Sequence, residues 1–98
     1  MLPKHRPPIH PGEILSEELA ELNIAAAELA REIKVPPNRI TQIIAGKRSI
    51  SADTALRLGK WLGTGPRLWL NLQQTYELDL ASEVLKDTLG KIKPRKAA

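Results

Sequence analysis

The sequence predicts an all-α domain of short helices. Leu, Ile and Ala dominate, Phe is absent and Val occurs only twice, a composition that favours helices over strands. Apolar residues recur at spacings of three and four, the period of a helix with one buried face. Proline and glycine fall between these segments, at Pro36–Pro37, Gly46, Gly63, Gly65–Pro66, Gly90 and Pro94, instead of pervading them.

Pro3, Pro7, Pro8 and Pro11 mark residues 1–9 as an extended arm. The first helix is predicted from Pro11 to Leu22. Proline suits the first helical position and Glu13 suits the positive end of the dipole. Ile14, Leu15, Leu19 and Leu22 share its inner face. A second helix, Ala26 to Ile33, turns Leu29, Ala30 and Ile33 inward. The diproline stops it, because the residue before a proline is pushed out of the α region. A third starts at Pro37 and ends before Gly46, with Ile40, Ile43 and Ile44 inward. A fourth, Ala52 to Leu62, has Ser51 as N-cap and Gly63 as terminator. A fifth opens at Pro66 and carries Leu68, Trp69, Leu72 and Tyr76. A sixth is predicted from Asp79 to Leu89. The domain proper then spans residues 10–89, and 90–98 form a flexible basic tail.

With 98 residues the chain makes one small domain. It has no cysteine, which excludes disulfides, thiol nucleophiles and Cys-ligated metal. Its apolar runs fall far short of the roughly 20 residues of a membrane span, and the N-terminus has no apolar signal segment. A cytoplasmic protein without membrane contact is expected. The net charge of +4 is unevenly distributed. Between Arg31 and Arg67 eight basic residues face two acids, Glu32 and Asp53, whereas the first helix has Glu13, Glu17, Glu18 and Glu21 and no base. A basic middle and an acidic flank fit two partners of opposite charge.

Two short helices joined by a tight turn, with a basic flank, form a helix-turn-helix whose second helix enters the DNA major groove. With the three isoleucines buried, the third helix presents Asn38, Thr41, Gln42 and Ala45, with Arg39 at the edge. Asn and Gln pair with adenine N6/N7 and Arg with guanine O6/N7, while Thr reaches either a base or a methyl group. The following loop, with Lys47, Arg48 and Ser49, suits phosphate contacts, which set register instead of reading sequence. Gly46-Lys47 is not a nucleotide-binding P-loop, which needs Gly where Thr41 stands and Ser or Thr where Arg48 stands.

Residues 10–81 resemble the HigA (VapI-like) antidote branch of the Xre helix-turn-helix proteins. The resemblance is carried by His10-Pro11-Gly12-Glu13-Ile14-Leu15, Glu28-Leu29-Ala30-Arg31, the stretch from Asn38 to Ser51, Asp53-Thr54-Ala55-Leu56-Arg57-Leu58 and Leu68-Trp69-Leu70-Asn71-Leu72-Gln73. It implies a lambda-repressor-like five-helix domain with a short C-terminal helical extension. It also implies a homodimer that binds a double-stranded DNA operator and represses its own operon, often with a HigB-type, mRNA-cleaving toxin as partner. It places base contact on Asn38, Arg39 and Gln42, and phosphate contact on Lys47 and Arg48. Three features depart from the family: Lys34 stands where the turn usually has Gly, Pro37 replaces a DNA-reaching side chain, and Ala25 and Ala26 replace a polar cap at the second helix.

An enzyme is not expected. His5 and His10 lack helical partners and the serines lack a nearby base. His10 reads as a helix-entry residue in preference to a metal ligand with His5 and Glu13, so neither metal nor cofactor is expected. Trp61, Trp69 and Tyr76 have core spacing, against a stacking platform for single-stranded RNA. The competing function is a stand-alone Xre regulator without a toxin. The C-terminal apolar residues exceed what one small core needs, which points to a dimer interface at Tyr76, Leu80, Val84 and Leu85. The stripe Glu13, Glu17 and Glu21 is the expected toxin surface, since an RNA-binding toxin offers positive charge.

Overall fold

The computed structural model describes residues 7–96. Residues 7–96 form five helices and no strand: α1 (Pro11–Leu22), α2 (Ala26–Glu32), α3 (Pro37–Ile44), α4 (Ala52–Leu62) and α5 (Pro66–Lys91). Residues 1–6 of the expected arm, Pro3 and His5 among them, lie outside the described residues, as do the last two residues of the tail.

The helix starts follow from local chemistry. His10 caps α1, its Nδ1 accepting from the Gly12 N–H at 2.9 Å. Ser51 Oγ accepts from the Thr54 N–H at 3.3 Å and caps α4. Pro11, Pro37 and Pro66 sit in the first turns of their helices, where a missing N–H costs nothing. Gly63, with φ of 76°, closes α4 in the left-handed conformation.

One core joins the helices. Leu15 and Leu19 of α1, Leu29 and Ala30 of α2, Ile40 and Ile43 of α3, Ala55 and Leu58 of α4 and Trp69 of α5 are all buried. Ile33, Val35 and Ile50 seal it from the connecting loops. Helix α3 packs on both α1 and α2, and α5 on α4 and α1. The α1–α3 contact is backbone-close, since a Cβ on Gly12 would overlap the carbonyl oxygen of Ile43.

Four expectations change. Leu22, the last residue of α1, is exposed rather than inward. Ile44 is half-buried. Trp61 and Tyr76 are also half-buried, leaving Trp69 as the core aromatic. There is no separate sixth helix, because Glu77, Leu78 and Asp79 contain no breaker and α5 runs on to Lys91. The C-terminal extension is therefore the second half of α5, and the helix extends into the segment assigned to the tail. At 1.5 Å per residue α5 is about 39 Å long, so its second half projects beyond the core.

Candidate nucleic-acid interface

The turn between α2 and α3 is built on an uncommon residue. Lys34 has φ of 62°, where L side chains cost on the order of 1 kcal/mol. The Val35 N–H bonds to Ala30 O at 2.9 Å and the Lys34 N–H to Arg31 O at 3.2 Å, closing α2 as glycine normally would. Arg57 of α4 supplies outside support. Its Nη1 donates to the carbonyls of Ile33 at 2.8 Å and Lys34 at 3.2 Å. Its place in the Arg31–Arg67 basic stretch and in the motif Asp53–Leu58 marked Arg57 in the sequence but gave it no role. At its other end, α2 begins at Ala26, and Ala25 at the N-cap position offers no side-chain cap.

On α3 the buried isoleucines face the core, while Asn38, Thr41 and Ala45 are exposed. Thr41 Oγ1 donates to Asn38 O at 3.3 Å. Gln42 and Arg39 are half-buried and already engaged. Gln42 Oε1 accepts from Arg48 Nε at 2.9 Å. Arg39 Nη1 donates to Asp53 Oδ1 at 2.9 Å. The structure thus brings Arg39, Thr41, Gln42 and Asn38 onto one helix and ties two of them to neighbouring segments.

The loop after α3 is held at both ends. The Lys47 N–H bonds to Gln42 O at 2.8 Å and the Gly46 N–H to Ile43 O at 3.0 Å. The Ile50 N–H donates to Oε1 of the buried Gln73 at 2.8 Å. Gln73 Nε2 in turn donates to Glu77 Oε2 at 3.1 Å. Between these anchors Lys47, Arg48 and Ser49 are exposed beside the α3 face. Gln73 stood in a motif of the resemblance, but its link to this loop spans 23 residues and has no local signal.

Asp53 lies at the centre of the charge pattern. Its Oδ1 accepts from Arg57 Nε at 2.7 Å as well as from Arg39. The hydrogen bond and charge of Arg57, then those of Arg39, hold its carboxyl below the usual carboxylate value. Two guanidiniums on one carboxylate leave this surface net positive.

The acidic stripe Glu13, Glu17 and Glu21 is exposed on α1. His10, the other residue considered for chemistry, is buried, and its ring meets Tyr76 edge-on with centroids 4.9 Å apart. Among the described residues no three His, Asp or Glu side chains gather as a metal site. Of the proposed interface residues, Tyr76 is half-buried against His10, while Leu80, Val84 and Leu85 are exposed. At about 100° per residue, Tyr76 and Leu80 continue the core-facing side of α5 that carries Trp69. Leu78, Leu85 and Leu89, also exposed, lie on the opposite side. Among the described residues no helix is long and apolar enough to cross a membrane.

A helix-turn-helix family profile matches residues 15–69. Virulence-associated protein I of Dichelobacter nodosus is 46% identical over 78 residues, covering 79% of this chain and 72% of that protein. The structure of an addiction module antidote protein of the HigA family from Coxiella burnetii superposes with a TM-score of 0.88 at 48% identity, over 92% of this chain and all of that one. The Pseudomonas aeruginosa antitoxin HigA, solved with the higBA promoter, superposes with a TM-score of 0.86 at 42% identity, over 91% of this chain and 99% of that one.

Proposed function

We propose that this chain, which belongs to the Xre-type helix-turn-helix family in its HigA (VapI-like) branch, represses its own operon as a DNA-bound homodimer and neutralises a HigB-type, mRNA-cleaving toxin. The observation that carries the DNA half is the α3 surface. Asn38, Arg39, Thr41 and Gln42 form a polar strip opposite two fully buried isoleucines, and Lys47, Arg48 and Ser49 adjoin it. Base-edge readout on the helix and phosphate contact on the loop divide between these two groups. That the Pseudomonas aeruginosa relative was solved with promoter DNA supports double-stranded DNA as the partner.

A single α3 is two turns long and reads only a few bases. Two copies on one face of DNA, with their α3 helices about 34 Å apart, give a near-palindromic site its specificity. The exposed leucines of the second half of α5 support the dimer, since isolated apolar side chains on a projecting helix gain from mutual burial. Toxin docking is supported by the exposed Glu13, Glu17 and Glu21, which lie on α1 rather than on the two helices of the DNA motif. Their charge would accelerate association with a basic partner.

The test is one titration series. The purified chain is added to the DNA upstream of its own coding sequence, with and without the product of the adjacent toxin-like reading frame. Saturable binding of two chains per site, and a slower-migrating complex with toxin, are expected. DNA binding without toxin binding identifies a stand-alone regulator. No preference for this DNA over random sequence overturns the reading.

A further inference from the structure

We propose that Asp53 is a positioning residue that presets Arg39 to read one guanine of the operator. The inference rests on the reading that α3 enters the major groove, and it adds a residue that touches no base.

The linkage is a chain of three side chains. Arg57 is anchored first, because its Nη1 donates to the carbonyls of Ile33 and Lys34 at the end of α2. Those carbonyls carry the negative end of the helix dipole, so a cation is held there by charge as well as by geometry. Arg57 Nε then fixes Asp53 Oδ1 at 2.7 Å, and the same oxygen fixes Arg39 Nη1 at 2.9 Å. The recognition helix is thereby tied to the turn that precedes it through two residues of α4, Asp53 and Arg57.

The pair leaves the reading edge of Arg39 intact. A guanidinium has five N–H donors, and Asp53 takes one of them on Nη1. The others find no protein acceptor among the described residues. Guanine O6 and N7 need two donors from one edge, and Nη2 with Nε provides them. A free arginine beside DNA also has phosphates within reach. Asp53, which repels phosphate and holds Nη1, keeps the side chain off the backbone and saves the cost of ordering it on binding. A carboxylate 57% exposed in the basic part of the molecule is otherwise a liability for DNA binding.

The test is selection from DNA randomised over one half-site, using the full chain and its R39A, D53N and D53E variants, with thermal unfolding measured on each. The native chain selects guanine at one position, and Arg39→Ala flattens that position alone. Asp53→Asn weakens the preference there by roughly threefold or more, leaving the other positions unchanged, while Asp53→Glu keeps a carboxylate and retains most of the preference. Asp53→Ser repeats the comparison should the asparagine variant unfold. A loss spread evenly over all sequences in Asp53→Asn means that Asp53 only supports the fold, and overturns the proposal. If Arg39→Ala leaves every base preference in place, the placement of Arg39 at a base fails first.

Discussion

Gln73, on α5, accepts a hydrogen bond from the backbone N–H of Ile50 at 2.8 Å, fixing the far end of the proposed phosphate-contact loop to a helix 23 residues away. Both residues are buried, at 4% and 2% exposure, so water does not substitute for the lost partner. Gln73→Leu is expected to strand the Ile50 N–H at a cost of about 1–3 kcal/mol in urea unfolding. The same variant should weaken DNA binding beyond its loss of stability, because Lys47 and Arg48 lose their fixed register. A variant as stable as the native chain would show that the bond is dispensable.

Gln42 and Lys47 are close in sequence but are predicted to fail differently. Gln42→Ala should cost roughly 1–3 kcal/mol on the cognate site and relax one base position. Lys47→Ala should weaken all sequences alike and lower the salt dependence of binding by about one counterion. Anisotropy titrations over a salt series, on cognate and scrambled DNA, separate the two patterns. An unaltered base preference in Gln42→Ala would remove Gln42 from the reading face.

Acid sensitivity should localise to Asp53. Its carboxyl is held below the ordinary value of 3.8, chiefly by the Arg57 hydrogen bond and further by Arg39. A depressed folded-state pKa means that the ionised form is favoured by folding. The stability it contributes is therefore present above pH 3.8 and is lost as the pH falls through the lower folded value. The native chain and Asp53→Asn should differ by a constant amount in thermal midpoint at neutral and mildly acidic pH. The difference should shrink only below the ordinary carboxylate range. Convergence already at mildly acidic pH would point to a different titrating group.

The second half of α5 supplies the test of assembly. Leu85 is exposed on the side of the helix away from Trp69, beside Leu78 and Leu89. Leu85→Glu should leave the fold intact and convert a dimer to a monomer in sedimentation. A dimer that survives both this change and Leu80→Glu, on the core-facing side, would place the interface elsewhere.

The helix boundaries were legible in the sequence because their causes are local. Pro11, Pro37 and Pro66 open helices, Ser51 caps one and Gly63 ends one through interactions within a turn or two. The polar face of α3 was legible for the same reason, since burying Ile40 and Ile43 leaves Asn38 and Thr41 outside at helical period. Asp53 could be read as one of two acids in a basic stretch and as part of a motif of the resemblance, neither of which gave it a role. Its partners stand 14 residues before it and 4 after it, and nothing local distinguishes a carboxylate gripped by two arginines from a solvated one. A separate sixth helix, Asp79 to Leu89, was expected from the apolar residues Leu80, Val84, Leu85 and Leu89. Periodicity reports which residues seek burial, not whether the helix that carries them is continuous. Backbone continuity is decided instead by the absence of a breaker between Tyr76 and Leu80, and which side meets the core by the packing of Trp69 and Gln73. Short-range caps and periods are properties of the chain, whereas the state of Asp53, Gln73 and the outer face of α5 depends on which distant segments fold against them.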